Sequence, residues 1–286
     1  SDSANIVEPH LLHGSQWGII DPIDTPDGGN VGFHKHLALM TKITHDINEE
    51  PLIKWLFDNL NTTYFKNKTS EELKVQYLER STKDELKKFT KIFVNGNLIG
   101  VTNNPLIMKQ IVIDARRSNL IPIYVSISFE FKDNYIQIYC DEGRLMRPVF
   151  YVKNGQISFE DKSIKESKMS WNDLVFTREH SDEMSNNKRF INIKDKDLSK
   201  ITKNVSVIDF IDKSEEEGSF ICMDADDHIN SSVSRFTHCE IHPSMMFGVM
   251  GSQVIFPEHN QLPRDLFSCG QSKQAASLYH SNFLNR

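Results

Sequence analysis

An Asn95-Gly96 pair stands between two short apolar runs, KIFV (91–94) and NLIGV (97–101). The tightest hairpin loop needs positive φ at both central residues, which asparagine and glycine accept at the least cost, so this dipeptide predicts a β-hairpin. A chain that carries it is committed to an antiparallel sheet there, and the neighbouring residues say what packs on that sheet. Asn104-Pro105 reads as a helix N-cap followed by proline at the first helical position, opening a helix over PLIMKQIVIDARRSN (105–119). Beyond it, IYVSISFEF (123–131) and YIQIYC (135–140) alternate with period two about Lys132-Asp133-Asn134, which predicts a second hairpin. Pro51 is expected to open an amphipathic helix with Leu52, Ile53, Leu56, Phe57 and Leu60 on one face. Residues 48–145 therefore read as one small α+β domain.

The flanks differ in character. Residues 1–46 are turn-rich, with two X-Pro steps within 10–40 and the Gly28-Gly29 pair, and predict an irregular loop leading into an apolar segment from Leu37. The stretch Lys66–Lys91 alternates blocks of opposite charge and reads as a solvated helical excursion. Residues 151–235 are more polar, with short strands expected at VSVIDFI and SFICM, and SEEEG (214–218) expected as an exposed turn or loop lip. Past Phe236 lysine almost disappears, Met, Phe, His and Gln accumulate, and the tail is expected to be buried or to line a site.

The 286 residues are enough for two or three domains at roughly 100–200 residues each. With 38% hydrophobic and 25% charged residues, global disorder is excluded. No run approaches the roughly 18 apolar residues that a spanning helix needs. Cys140, Cys222, Cys239 and Cys269 lie far apart with no CxxC pair, which suits neither a zinc ribbon nor a disulfide scaffold and fits a reducing compartment. A net charge of −6 argues against a small module that holds nucleic acid by bulk electrostatics, but not against a piece of a larger machine. The opening SDSANIVEPH, without methionine or leader, and the stop at NFLNR favour such a piece.

Three constellations carry chemistry. His238, Glu240 and His242 alternate, so a strand would put them on one face at a spacing suited to a metal ion; the alternative is hydrogen bonding in a packed interior. Asp21, Asp24 and Asp27 admit either paired-carboxylate or Mg²⁺ chemistry, or the turn chemistry of aspartate beside proline and glycine. Gly28, Gly29 and Gly32 match neither a dinucleotide fingerprint nor a Walker loop. In PRDLFSCGQSKQAA, Arg264, Lys273 and Gln274 are among the few long polar side chains of the tail. A helix from about Asp265 would set Lys273 two turns or so beyond Arg264. A guanidinium fork and an ammonium suit polyphosphate; two ordinary surface residues are the alternative.

Five stretches, HGSQWGIIDPIDTPDGGNVG, IFVNGNLIGV, DEGRLMRPVF, FTHCEIHPSMMFGV and FPEHNQLPRDLFSCGQSKQA, occur in an order and spacing that resembles the second-largest, beta-type subunit of multisubunit DNA-directed RNA polymerase. The wording THCEIHPSM is similar to the eukaryotic, archaeal and viral branch, and the Lys-, Asn- and Ile-rich background to large DNA viruses or protists. The chain departs from the family at Asp24 and Asp27, where glutamate is usual, and at Gly270, Gln271 and Ser272, where alanine, methionine and glycine are usual.

The resemblance implies a mixed α+β multidomain fragment. Its parts would be the end of the fork (1–46), two external domains (47–146 and 147–235) and the start of the β-rich hybrid-binding domain (236–286). It implies nucleotidyl transfer by a two-metal scheme, with Mg²⁺ held mainly by the largest subunit. Within this fragment it implies no catalytic carboxylate. Arg264, Lys273 and Gln274 would lie near the nucleoside triphosphate, the RNA 3′ end and the hybrid, with Asp24, Asp27, Gly28, His242, Asn260 and Gln261 in active-centre loops. Implied partners are the largest and smaller polymerase subunits, DNA template, RNA product and nucleoside triphosphates, in the nucleus or cytoplasm, or in a viral factory or virion. The rival readings are a metal-dependent hydrolase built on His238, Glu240 and His242, and a non-catalytic interaction module.

Overall fold

The computed structural model describes residues 6–60, 73–153, 155–160, 206–225 and 235–283. They form a mixed α/β structure in two compact units, 43–240 and 1–42 together with 241–286. The expected division near residue 146 falls inside the first of these.

In the 43–240 unit, helix α1 (Glu49–Asn59) is capped by the Asn48 side chain, which accepts from the Glu50 N–H, so the helix starts before Pro51 rather than at it. Strand β1 (Val75–Tyr77) and the short helix α2 (Lys83–Lys88) precede the hairpin of β2 (Thr90–Val94) and β3 (Asn97–Thr102). Asn95 and Gly96 take φ of 48° and 83°, the two positive values that the sequence requires. Helix α3 (Pro105–Arg117) has its first turn capped by Asn104, which accepts from Ile107 N–H, and β4 (Ser126–Glu130) pairs antiparallel with β5 (Tyr135–Tyr139). The sheet runs β1-β3-β2-β5-β4, with β2 and β5 parallel. Leu52, Trp55, Leu56 and Leu60 of the α1 region and Met108 and Val112 of α3 pack with Ile92, Val94, Ile127, Ile136 and Ile138 in one core.

The charged excursion is corrected in part. Residues 61–72 lie outside the described set, but Val75–Tyr77 is a paired strand, not helix. Gly100 makes this pairing feasible: a Cβ there would stand 2.2 Å from the Gln76 carbonyl and 2.8 Å from the Phe57 ring.

The second sheet is organised on β6 (Leu145–Lys153). It pairs antiparallel with β7 (Gln156–Ile157), β8 (Ile208–Ile211) and β10 (His238–Cys239), and β10 pairs parallel with β9 (Ile221–Cys222). The SEEEG segment is also corrected. It belongs to helix α4 (Lys213–Glu217), capped by Asp212, and Glu215 is buried. Arg116 reaches Glu215 through two hydrogen bonds of 2.7 and 2.9 Å, and Arg117 reaches Asp209 through its Nε and Nη2. Arg147 binds both Glu240 and Glu216. Burying charge is costly unless each ion is paired and its hydrogen bonds are met, and these forked pairs supply both. Burial would raise the Asp209 carboxyl, but the Arg117 and Arg116 guanidinium groups overcome it and hold Asp209 well below the usual carboxylate range.

The unit made of 1–42 and 241–286 is built from tight 3₁₀ turns and one long helix, α5 (Leu262–Phe283). Among the described residues, the β character expected after 236 is confined to β10. The tail is not uniformly buried either: Leu266 and Cys269 are, while Ile255, Phe256 and Phe267 are exposed.

Candidate active-centre site

The irregular backbone of 18–41 is folded back on itself by an isolated bridge between Ile20 and Leu37 and by hydrogen bonds from Asp21 N–H to the His36 carbonyl and from Ala38 N–H to the Ile19 carbonyl. This places His36 beside the DPIDTPDGG loop. Leu39 N–H donates to the Phe247 carbonyl, which joins the loop to the turns after His242.

Asp21 is 4% exposed and its carboxylate accepts three backbone N–H bonds: Ile23 at 3.0 Å, Gly248 at 2.7 Å and Gly251 at 3.2 Å. A Cβ at Gly251 would stand 2.3 Å from Asp21 Oδ2, and one at Gly248 would stand 2.9 Å from it, so both glycines are dictated by the carboxylate they enclose. The Ile23 bond is the turn chemistry legible in the sequence; the two glycine bonds are tertiary and were not.

Asp24 is buried, and its Oδ1 lies 2.6 Å from Lys273 Nζ. The same ammonium lies 2.9 Å from His36 Nε2, which is itself 3.9 Å from Asp24 Oδ1. Thus Asp24, His36 and Lys273 converge, although they are far apart in sequence. Cys269, one turn before Lys273, is buried; its thiol is pushed up to about 11 by burial and by the nearby Asp24 and Asp21 carboxylates.

The remaining expected residues stand apart. Asp27 is exposed and accepts from the Gly28 N–H, with Gly28 at φ 88°. Asn260 is exposed and donates to the Ile255 carbonyl, while the Gln261 carbonyl accepts from the Arg264 N–H at the start of α5. Arg264 and Gln274 are exposed. Nine residues of α-helix separate Arg264 from Lys273, about 13–14 Å along the axis and half a turn around it, so the two cations do not converge on a single group.

His238, Glu240 and His242 do not form a metal centre. The strand ends at Cys239; His238 faces Asp209 at 3.7 Å; Glu240 gives both oxygens to Arg147; His242 caps the Pro243–Met246 turn by accepting from Ser244 N–H. No three His, Cys, Asp or Glu among the described residues gather as a metal site. Metal analysis of the purified protein carrying His238→Ala or His242→Ala is therefore expected to give wild-type stoichiometry. Loss of one ion with either substitution would restore the metal reading.

Three family models match this chain: RNA polymerase Rpb2, domain 3, at residues 1–43; domain 4 at 92–153; and domain 5 at 197–243. DNA-directed RNA polymerase II subunit RPB2 of Encephalitozoon cuniculi is 32% identical over 290 residues, covering 98% of this chain and 22% of that protein. DNA-directed RNA polymerase subunit Rpo2 of Sulfolobus acidocaldarius is 29% identical over 283 residues, covering 96% of this chain and 22% of that protein. DNA-directed RNA polymerase subunit 2 of Acanthamoeba polyphaga mimivirus is 28% identical over 316 residues, covering 100% of this chain and 23% of that protein. The chain thus spans less than a quarter of the length of these relatives. No helix among the described residues is long and apolar enough to cross a membrane. With three consecutive domain models matched in order and relatives from eukaryotes, archaea and a giant virus aligned along nearly all of it, the chain belongs to the second-largest subunit family of DNA-directed RNA polymerase.

Proposed function

We propose that this chain is the part of a polymerase second-largest subunit that runs from the end of the fork, through two external domains, to the start of the hybrid-binding domain, and that it acts in template-directed RNA synthesis. Its contribution is positional and electrostatic. The observation that carries this reading is the Lys273 ammonium, fixed 2.6 Å from a buried Asp24 carboxylate supplied by a distant loop. A surface lysine has no need of a buried, loop-borne counter-ion, whereas a cation that must meet the RNA 3′ end or the hybrid backbone gains from being held in advance. Arg264 and Gln274, both exposed on α5, are assigned to the triphosphate and to the hybrid.

The carboxylates here do not suit the Mg²⁺ ions of the two-metal scheme. Asp21 is taken up by three backbone N–H groups, Asp24 by Lys273, and Asp27 bonds the Gly28 N–H. Mg²⁺ ligands are therefore assigned to the largest subunit and to other parts of this one. The exposed Ile255, Phe256 and Phe267 are assigned to contacts with other polymerase subunits or with the rest of this one.

Lys273→Ala in the reconstituted polymerase is expected to slow single-nucleotide extension about tenfold or more, the scale of losing one charge-assisted hydrogen bond. Subunit assembly should be unchanged. Wild-type extension by that variant would remove Lys273 from the site.

A further inference from the structure

We infer that His36 is a positioning residue for Lys273, holding the ammonium through an unprotonated Nε2 and releasing it when that nitrogen takes up a proton. The inference rests on the reading of Lys273 as a cation that serves nucleotide addition.

The contact sets a condition on the imidazole. An ammonium has three donors and no acceptor, so a 2.9 Å approach of Lys273 Nζ to His36 Nε2 requires the imidazole to present a lone pair there. The ring proton of the neutral tautomer is then on Nδ1. Lys273 is held on two sides, by a carboxylate oxygen of Asp24 at 2.6 Å and by the imidazole. Uptake of a proton from water at Nε2 turns that acceptor into a donor and puts a second positive charge beside the ammonium. Among the described residues, the only carboxylate within ion-pair reach of both is Asp24, whose Oδ1 is 3.9 Å from His36 Nε2. One buried carboxylate then serves two cations, and the more mobile Lys273, on its long flexible stem, gives way.

Among the described residues, the charged and titratable groups around His36 are few. Lys273 faces it from α5 and Asp24 from the loop; the Cys269 thiol is within electrostatic reach of Asp24, Asp21, Lys273 and Asp265; His34 and Lys35, on its own segment, are exposed. His36 is itself half exposed, at 47% for the side chain, so protons reach it from solvent. An imidazole is the side chain suited to this role, because its charge changes between about pH 5 and 8.

The test uses the whole polymerase bearing this subunit, with single-nucleotide extension measured on a preformed RNA–DNA scaffold from about pH 5.5 to 8.5. His36→Gln places an amide, which can accept but does not titrate, near the same position. It should match wild type at the alkaline end and exceed it roughly five- to tenfold at the acid end, where the wild-type imidazole has let go. His36→Lys, a permanent cation, should be slow throughout. Neither change should matter in a Lys273→Ala background. A wild-type to His36→Gln ratio that stays flat with pH, or wild-type rates for His36→Lys, would overturn the role of His36 while leaving Lys273 in place. Wild-type extension by Lys273→Ala alone would instead remove the functional reading, and the role of His36 with it.

Discussion

Asp209→Ala is expected to destabilise the 43–240 unit by about 3–5 kcal/mol, the cost of stripping a buried ion of its partner. Asp209 is 2% exposed, binds Arg117 through Nε and Nη2, and lies 3.6 Å from Arg116 and 3.7 Å from His238. Removing it leaves the Arg117 guanidinium, stacked 3.7 Å over the Tyr151 ring, with no carboxylate among the described residues nearer than Asp114 at 3.9 Å. A loss on that scale is a large part of the roughly 5–15 kcal/mol that holds a domain together. Urea unfolding of the chain, followed by protease resistance of residues 43–240, measures it. An unchanged midpoint would show that the pair carries no net stability. The same carboxylate sets an acid limit. Its folded-state pKa is depressed, so its contribution is complete above the unfolded carboxylate range near about pH 4 and is lost as pH falls below it. By contrast Lys74→Ala, which breaks the half-exposed pair with Glu85 at 2.8 Å, should change little, because solvent screens it.

These buried pairs also mark the limit of what the sequence made legible. Asn95-Gly96, the Asn104 cap and the period-two runs are local signals, and the hairpins and α3 follow them closely. Arg116, Arg117 and Glu215 carry no local sign of burial. SEEEG reads as a solvated lip because its partner, Arg116, lies 99 residues away, and only the packing of both α3 and α4 on β4 closes that distance. Val75–Tyr77 was hidden in the same way, by flanking charge that says nothing of the Gly100 gap against which Gln76 sits.

The site divides likewise. Asp24 and Lys273 stood out by residue type and by their motifs, although no spacing rule joined them. His36 did not, since the Ile20–Leu37 bridge that delivers it pairs residues with no distinguishing chemistry. The Asp21 clasp was missed for a related reason. Nothing in the sequence singles out Gly248 and Gly251, whose N–H groups hold the buried carboxylate.

In the proposed arrangement α5 delivers cations to the reacting nucleotide, and Arg264 is the residue nearest that chemistry. It is exposed in the first turn of α5 and makes no salt bridge among the described residues, so its guanidinium is available to a ligand. Phosphate charge must be desolvated on binding and grows on the leaving pyrophosphate, and a planar fork meets it with paired hydrogen bonds. Losing one such preorganised group costs about 2–4 kcal/mol, or roughly 30-fold to 1,000-fold in rate. Lysine at 264 should recover only part of this, because a point charge cannot reproduce the paired contact. The direct measurement is single-nucleotide extension on a preformed RNA–DNA scaffold across nucleoside triphosphate concentrations, comparing Arg264→Ala with wild type in the assembled polymerase. Extension slowed by that factor with scaffold retention intact is the expected result; wild-type kinetics, or a defect confined to scaffold binding, would remove Arg264 from the triphosphate.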